Sequence, residues 1–430
     1  MAFPHSLAGH FRCPHSLGVL YTAVTQYLGF PNYGDEFKVM GLAPYGNPEF
    51  MDELRKLVTL KPDGRFELTR KYFRHWDEGV DMEWESGSPT MGPLYTPALE
   101  ELLGPSRKKG EPLDASHENL ARSLQTVYEE CAFHVLNALW SKTRNQRLCL
   151  AGGCAMNSVA NGKVRENTPF REVYIQPAAA DSGTALGAAY QVWNQVLGKP
   201  RGFVMEHGYW GTEYPKADVT AIVKARVDEA WEYTCECLDD ERLLAATAEL
   251  IAGGNVVGWY QGRMEWGARA LGNRSILADA RRADMRELIN TKIKFREKFR
   301  PFAPSILEEA MDDYFDGAAP DPFMQQVYPV RADKRAILPA ITHADGSGRL
   351  QTVSSRTNPR YYKLIEAFAR LTGVPVLLNT SFNENEPIVD TPEQALDCFF
   401  RTRMDAIVVH NTIIRRRPIA EETLDSQVSP

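Results

Sequence analysis

"LCLAGGCAMNSVANGKV", residues 148–164, and "VYIQPAAADSGTALGAA", residues 173–189, decide how this chain is read. In each, a short apolar run stops at small residues and gives way to a helix-forming stretch. This predicts a strand at 148–153 feeding a helix around 155–165, and a strand at 173–180 feeding a helix at 184–196. Strand, turn and helix in alternation define an α/β class, in which ligands are expected where strands end and helices begin.

Working outward, a helix is expected near Leu17–Leu28, then an irregular loop rich in Gly and Pro to residue 50, then a turn-rich, charged excursion over 60–115. Leu120, Leu124, Val127, Cys131, Val135 and Leu139 recur at three- and four-residue steps and predict a long amphipathic helix from Glu118 to Trp140. The Gly-, Pro- and aromatic-rich stretch 199–218 breaks the rhythm, so the chain divides into a domain of residues 1–212 and one of 213–430. The second is also α/β. It offers helices at 216–226 and 240–252, strands within 231–238 and 255–262, and the helix "YYKLIEAFARLTG" (361–373) closed by Gly373. A strand at 374–380 and the helix "DTPEQALDCFFR" (390–401) follow, with Thr391 as N-cap, Pro392 in the first position and Gln394 placed for a capping box.

Composition bounds the function. The 430 residues are 43% hydrophobic, and no run of 18 lacks polar or charged residues, which argues against a membrane span. The start has no apolar core behind a basic cluster, so a cytoplasmic protein is expected. The seven cysteines form no CxxC pair and no Cys/His zinc spacing, and are read as reduced thiols. A net charge of −7 argues against nucleic acid as the main partner but leaves room for small anions held by local arginines.

Four stretches bear the marks of chemistry. In "AGGCAMNSVANGKV", Gly152 and Gly153 let backbone approach a ligand, and Asn157 and Asn161 are set to share one helix face. In "AAADSGTALGAA", Asp181 or Ser182 is an N-cap candidate, and Asp181 is alternatively a metal ligand. "EWGARALGNRSILAD" (265–279) joins two glycines to Arg269 and Arg274, and further on Lys292, Lys294, Arg296, Lys298 and Arg300 alternate with other residues, as in an extended segment with a cationic face. That face suits a polyphosphate, or is a solvated edge strand. In "LLNTSFNENEPIV", Asn379, Thr380, Ser381 and Asn383 crowd the end of an apolar strand.

Together "PHSLGVLYTAVTQYLGF", "EFKVMGLAPYG", "AGGCAMNS", "QPAAADSGTALGAA", "GARALGNRSILAD", "KIKFREKFRPFAPSIL", "QTVSSRTNPRYYKLI" and "VPVLLNTSFNENEPIVDTPEQALDCF" closely resemble the NodU/CmcH-type O-carbamoyltransferase family, in order over about residues 13–415. The resemblance implies a partial actin/Hsp70-like (ASKHA) carbamoyl-transfer domain followed by a YrdC-like domain that joins carbamoyl phosphate and ATP into a carbamoyl-adenylate. The carbamoyl group then passes to a hydroxyl of a sugar or natural product, the small-molecule acceptor.

By the same resemblance, Lys294 with Arg296 and Ser381 with Asn383 match the two signature pairs of the YrdC-like nucleotide site, and Arg269, Asn273, Arg274, Ser275, Arg300 and Asn379 are further contacts. Gly152, Gly153 and Asn157 match an adenosine-binding turn, and Asp181 a ligand to a divalent metal, iron or magnesium. The family's HxxxH helix has no counterpart here: no two of the nine histidines are three or four apart, and His5, His10 and His15 are spaced by five. The chain is therefore expected to lack the first half of the ASKHA domain, and to find it in a partner chain or to cover its open strands by self-association. Competing readings are a nucleotide-binding remnant without catalysis and one subunit of a split enzyme.

Overall fold

The computed structural model describes residues 9–84, 89–227 and 232–417. His5 lies outside them.

In the N-terminal part, α1 (Leu17–Tyr27) and α2 (Glu36–Leu42) pack on α3 (Ala115–Thr143), the long helix anticipated from its periodicity. Asp114 caps α3, its side chain accepting from the N–H groups of Ser116 and His117. Leu120, Leu124, Val127 and Cys131 are buried against Leu20, Val24, Val39 and Leu42. Beyond Cys131 the helix is no longer fully covered. Two parallel strands follow, β1 (Arg147–Leu150) and β2 (Glu172–Ile175), shorter than the sequence suggested. Between them lies α4 (Ser158–Gly162), and after β2 a tight turn at Asp181–Gly183 leads into the helix Thr184–Tyr190.

The C-terminal part is one nine-stranded mixed sheet. In chain order its elements are α5 (Lys216–Val227), β3 (Tyr233–Cys237), α6 (Asp240–Ala252), β4 (Val257–Tyr260), β5 (Arg274–Asp279), α7 (Met285–Lys292) and β6 (Ala303–Leu307). Then come β7 (Gln326–Pro329), β8 (Ser347–Val353), α8 (Pro359–Thr372), β9 (Val376–Ser381), α9 (Pro392–Arg401), β10 (Ala406–Val409) and β11 (Thr412–Arg416). The strand order is β7-β8-β6-β9-β5-β4-β10-β11-β3. Strands β4, β5, β6 and β10 are buried at every residue because both faces are covered. Helices α6 and α8 lie over Trp259, Leu277, Leu377 and Val408 on one face, while α5, α7 and α9 enclose Tyr260, Ile276, Leu378 and Ile407 on the other. Both predicted helix boundaries hold: Thr391 and Gln394 form the capping box, and Gly373 ends α8 in the left-handed conformation.

Three local expectations are corrected. The alternating stretch from Lys292 to Arg300 is not an extended strand. Lys292 ends α7, and the following loop is pinned by the fully buried Asn290, whose carbonyl accepts from the Arg296 N–H and whose amide donates to the Arg300 carbonyl. Phe295, at φ +43°, breaks the alternation and leaves its ring exposed. Asn157 and Asn161 do not present a shared face to a ligand. Asn157 caps α4 and pairs with the Gln125 amide, and the buried Asn161 donates to the carbonyls of Ala155 and Gln325. Neither Asp181 nor Ser182 makes a side-chain N-cap bond.

The two parts meet where α4 lies on β7, the edge strand of the large sheet. Arg165 donates to Gln326 Oε1 (3.0 Å) and to the Tyr328 hydroxyl (2.9 Å). A Cβ on Gly162 would sit 1.9 Å from the Val327 carbonyl oxygen. In an exposed helix, alanine for glycine would stabilise by about 1 kcal/mol. Here the backbone clash wins, and Gly162→Ala is expected to destabilise by about 2 kcal/mol, read as a lower denaturation midpoint. A midpoint at or above that of the parent would show that α4 and β7 are not in contact.

Candidate active site

One end of the large sheet gathers most of the anticipated residues: the N-terminal ends of β5, β6 and β8 and the C-terminal end of β9 lie together there. The segment 265–274 folds over this end on its own carboxylate. Glu265 Oε1 accepts from the N–H groups of Leu271 (2.7 Å), Asn273 (2.8 Å) and Arg274 (3.2 Å). Gly272 is required at φ +104°, and a Cβ there would fall 2.2 Å from the Tyr361 ring. The backbone donors at 271, 273 and 274 are therefore spent on Glu265, and Arg269 is the cation of this segment that remains for an external anion.

Lys294 reaches the turn after β9. Its ammonium donates to the carbonyls of Ser381 (2.5 Å) and Asn383 (2.6 Å), to Asn383 Oδ1 (2.6 Å) and, at 3.3 Å, to Ser381 Oγ. Burial, then the nearby Arg296, push its pKa well below that of a free lysine. The structure thus brings the two predicted pairs together. Arg296 donates to Asn290 Oδ1 and stacks on Phe302, and burial followed by Arg300 lowers its pKa to about 9. Arg300 lies over Phe37 of α2 beside Glu297.

Arg269 is half-buried, its Nε has no partner among the described residues, and burial lowers its pKa to about 10 against the pull of Asp321. Sequence reasoning missed Arg349, on β8. Burial and then Arg269, Arg296 and Arg300 depress its pKa far below the ordinary guanidinium value. The one usable signal was its place in "SGRLQTV" (347–353), two residues from Gln351 and so on the same strand face.

Asp321, also missed, is the buried carboxylate facing Arg269 and Arg349. Its oxygens accept from the N–H groups of Phe323 and Gln325, and burial raises its pKa to about 6. For this acid the folded value lies above the unfolded one, 3.8. Its contribution to stability is full below pH 3.8 and is lost as pH rises through 6. Asp321→Asn is thus expected to gain on the parent between pH 4 and 7, by at most about 3 kcal/mol. Urea unfolding at pH 4 and pH 7 measures this, and an equal difference at both would refute it.

The remaining anticipated residues have structural partners. Arg274 is fully buried, stacks 3.8 Å over the Tyr260 ring and spends its donors on the carbonyls of Gln261, Gly262 and Asn273. Asn273 donates to the Arg263 carbonyl and accepts from Asn358, the cap of α8. Ser275 accepts from the Gly272 N–H. Asn379 joins Ser305 and Gln351 in a buried amide network, with its Oδ1 unpartnered among the described residues. Gly152, at φ +102°, and Gly153 are exposed beside open space after β1, in the N-terminal part. Asp181 is exposed too, and among the described residues no three His, Cys, Asp or Glu side chains are placed to hold a metal ion.

Clustered cations at one end of an α/β sheet suit an anion, and relatives of the chain give it a family. Residues 3–190 match the model of the carbamoyltransferase N-terminus, and residues 248–416 that of the carbamoyltransferase C-terminus. The uncharacterized protein sll1178 of Synechocystis sp. is 42% identical, over 95% of this chain and 68% of its own length. Nodulation protein NolO of Bradyrhizobium diazoefficiens is 40% identical, over 94% and 70%. Nodulation protein NolNO of Sinorhizobium fredii is 40% identical, over 95% of this chain but 56% of its own length. A crystal structure of full-length HypF in the phosphate- and nucleotide-bound form covers 44% of this chain and 24% of its own, at 16% identity and a TM-score of 0.29. The chain belongs to the carbamoyltransferase family, a family of transferases. It spans between 56 and 70% of the length of these three relatives. No helix among the described residues is long and apolar enough to cross a membrane.

Proposed function

We propose that this chain activates carbamoyl phosphate with ATP to a carbamoyl-adenylate at the cationic end of the large sheet, for transfer to the hydroxyl of a small-molecule acceptor such as a sugar or natural product. On this reading residues 213–430 are the YrdC-like part and residues 1–212 a partial ASKHA part. The supporting observation is the gathering of Lys294, Arg296, Arg300, Arg269 and Arg349 at one site, with pKa values held down by burial. Buried cations of like sign are costly unless an anion joins them, and a triphosphate supplies one.

In the first step water cleaves carbamoyl phosphate to carbamate and phosphate. A carbamate oxygen then attacks the α-phosphorus of ATP in line, the bond to the β-phosphate oxygen breaks, and pyrophosphate leaves. The arginines offset charge on the equatorial oxygens and on the departing pyrophosphate, and Lys294 orients the 381–383 turn. Phe37 of α2, stacked on Arg300, and Tyr45 just beyond that helix, whose hydroxyl donates to the Phe299 carbonyl, flank the site from the N-terminal part. A metal at Asp181 would need further ligands from outside the described residues.

The test is carbamoyl-phosphate-dependent exchange of labelled pyrophosphate into ATP by the purified chain. Exchange that requires carbamoyl phosphate supports adenylate formation. ATP binding without exchange in a folded sample would leave a nucleotide-binding protein and overturn the reading.

A further inference from the structure

The loop that carries Arg296 and Arg300 takes no part in the strand pairing of the large sheet, and its order has two other sources. From α7, Asn290 holds it through the Arg296 N–H and the Arg300 carbonyl. From the opposite side it is docked on the N-terminal part. The Phe299 ring packs against the apolar cluster of α1, α2 and α3, and the Tyr45 hydroxyl donates to the Phe299 carbonyl at 3.3 Å. A Cβ on Gly41 would already touch Pro301, at 3.4 Å. The Arg300 guanidinium lies 4.5 Å over the Phe37 ring.

A line of alternating charges crosses the same boundary. Asp35, buried just ahead of α2, pairs with Lys38 at 2.8 Å. Lys38 lies 3.9 Å from Glu297, and Glu297 lies 3.4 Å from Arg300. Arg107, from the N-terminal part, also attracts Glu297. Glu297 is the one carboxylate in residues 294–300. Its contact with Arg300 is longer than the about 2.7–2.9 Å of a close charged hydrogen bond. The carboxylate is therefore shared between a cation of the site and cations of the N-terminal part.

This sharing matters once an anion arrives. A phosphate at Arg300 needs the donors that Glu297 faces, and two anions on one guanidinium repel. The conflict is smaller if the carboxylate has a second cation to turn to. Lys38 is placed to be that cation, because Asp35 fixes its ammonium beside the loop.

We propose that Lys38 is a positioning residue of the cationic site: it draws the Glu297 carboxylate off Arg300 and leaves the guanidinium open to an incoming phosphate. The N-terminal part thereby sets the anion affinity of a site whose five cations belong to the C-terminal part. This rests on the proposed function in taking Arg300 as a phosphate contact.

The experiment is a double-mutant cycle on the full chain, with inorganic pyrophosphate titrated by calorimetry at constant ionic strength. Lys38→Met is expected to weaken pyrophosphate about threefold, and Glu297→Gln to tighten it about threefold, the scale of partly exposed charge pairs. In the Glu297→Gln background, Lys38→Met should change nothing, since no carboxylate remains to close on Arg300. A purely structural role for Lys38 would not vanish in this way. Should Lys38→Met fail to fold because Asp35 is left alone, Asp35→Asn joined to Lys38→Met removes both charges and carries the same cycle. Additive effects would mean that each charge acts on the anion independently, and would overturn the proposal. A parent that binds no pyrophosphate would overturn it as well. A coupled cycle in a chain without ATP–pyrophosphate exchange would leave the role of Lys38 standing while the adenylate reading fell.

Discussion

Lys294→Met is expected to lower carbamoyl-phosphate-dependent ATP–pyrophosphate exchange by at least 100-fold, the scale on which a preorganised donor at a charged site acts. The reason lies in what the ammonium touches. It holds two carbonyls, one amide oxygen and, more loosely, one hydroxyl of the 381–383 turn. Methionine fills a similar volume but donates nothing, so buried acceptors are left without a proton, at about 1–3 kcal/mol. The turn moves, and with it the Ser381 and Asn383 side chains. Arginine is not expected to rescue, because a planar guanidinium does not fit acceptors arranged around a point charge. Exchange rates measured beside urea unfolding separate the two effects. If Lys294→Met lost stability but kept exchange within tenfold, Lys294 would be a tether for the turn and nothing more.

The largest expected loss of stability belongs to Glu265→Ala. Its carboxylate is buried and takes three backbone N–H groups from the segment that folds over the site. Bonds to a charged acceptor are among the stronger ones, and their loss orphans three donors where water does not replace the oxygen. A cost of about 4 kcal/mol is expected, on the scale of removing one member of a buried charged pair. Glu265→Gln keeps an acceptor oxygen and should lose about half as much. Because Arg269 sits inside this segment, exchange should fall in parallel with stability. Urea midpoints of the two variants check the ranking, and an alanine variant as stable as the glutamine one would show that the loop closes without the carboxylate.

Much of the fold could be read directly. The spacing of Leu120, Leu124, Val127 and Cys131 foretold α3, and Thr391, Pro392 and Gln394 marked the start of α9, because helix periodicity and capping are local and depend on residues within a turn or two. Lys294 with Arg296 and Ser381 with Asn383 stood out through the family resemblance, and the fold places the Lys294 ammonium on the turn that carries Ser381 and Asn383. Where local pattern misled, a distant partner had overridden it. Lys292–Arg300 alternates like a strand, but the buried Asn290 amide bends it into a loop. Asn161 looked free for a ligand, yet the Gln325 carbonyl, 164 residues away, takes its amide proton.

By itself the sequence determined the α/β class, the main helices and their caps, and a set of cationic residues suited to anions, all of which follow from near-neighbour chemistry and from composition. Only the tertiary structure decided which of those cations share one site. Asp321 carries no local signature and Arg349 only a shared strand face with Gln351, while Arg274, which looked equally suited, is spent on nearby backbone carbonyls. Proximity across a mixed nine-stranded sheet depends on strand order, and strand order is set by packing both faces of the sheet at once, which no short window of residues encodes.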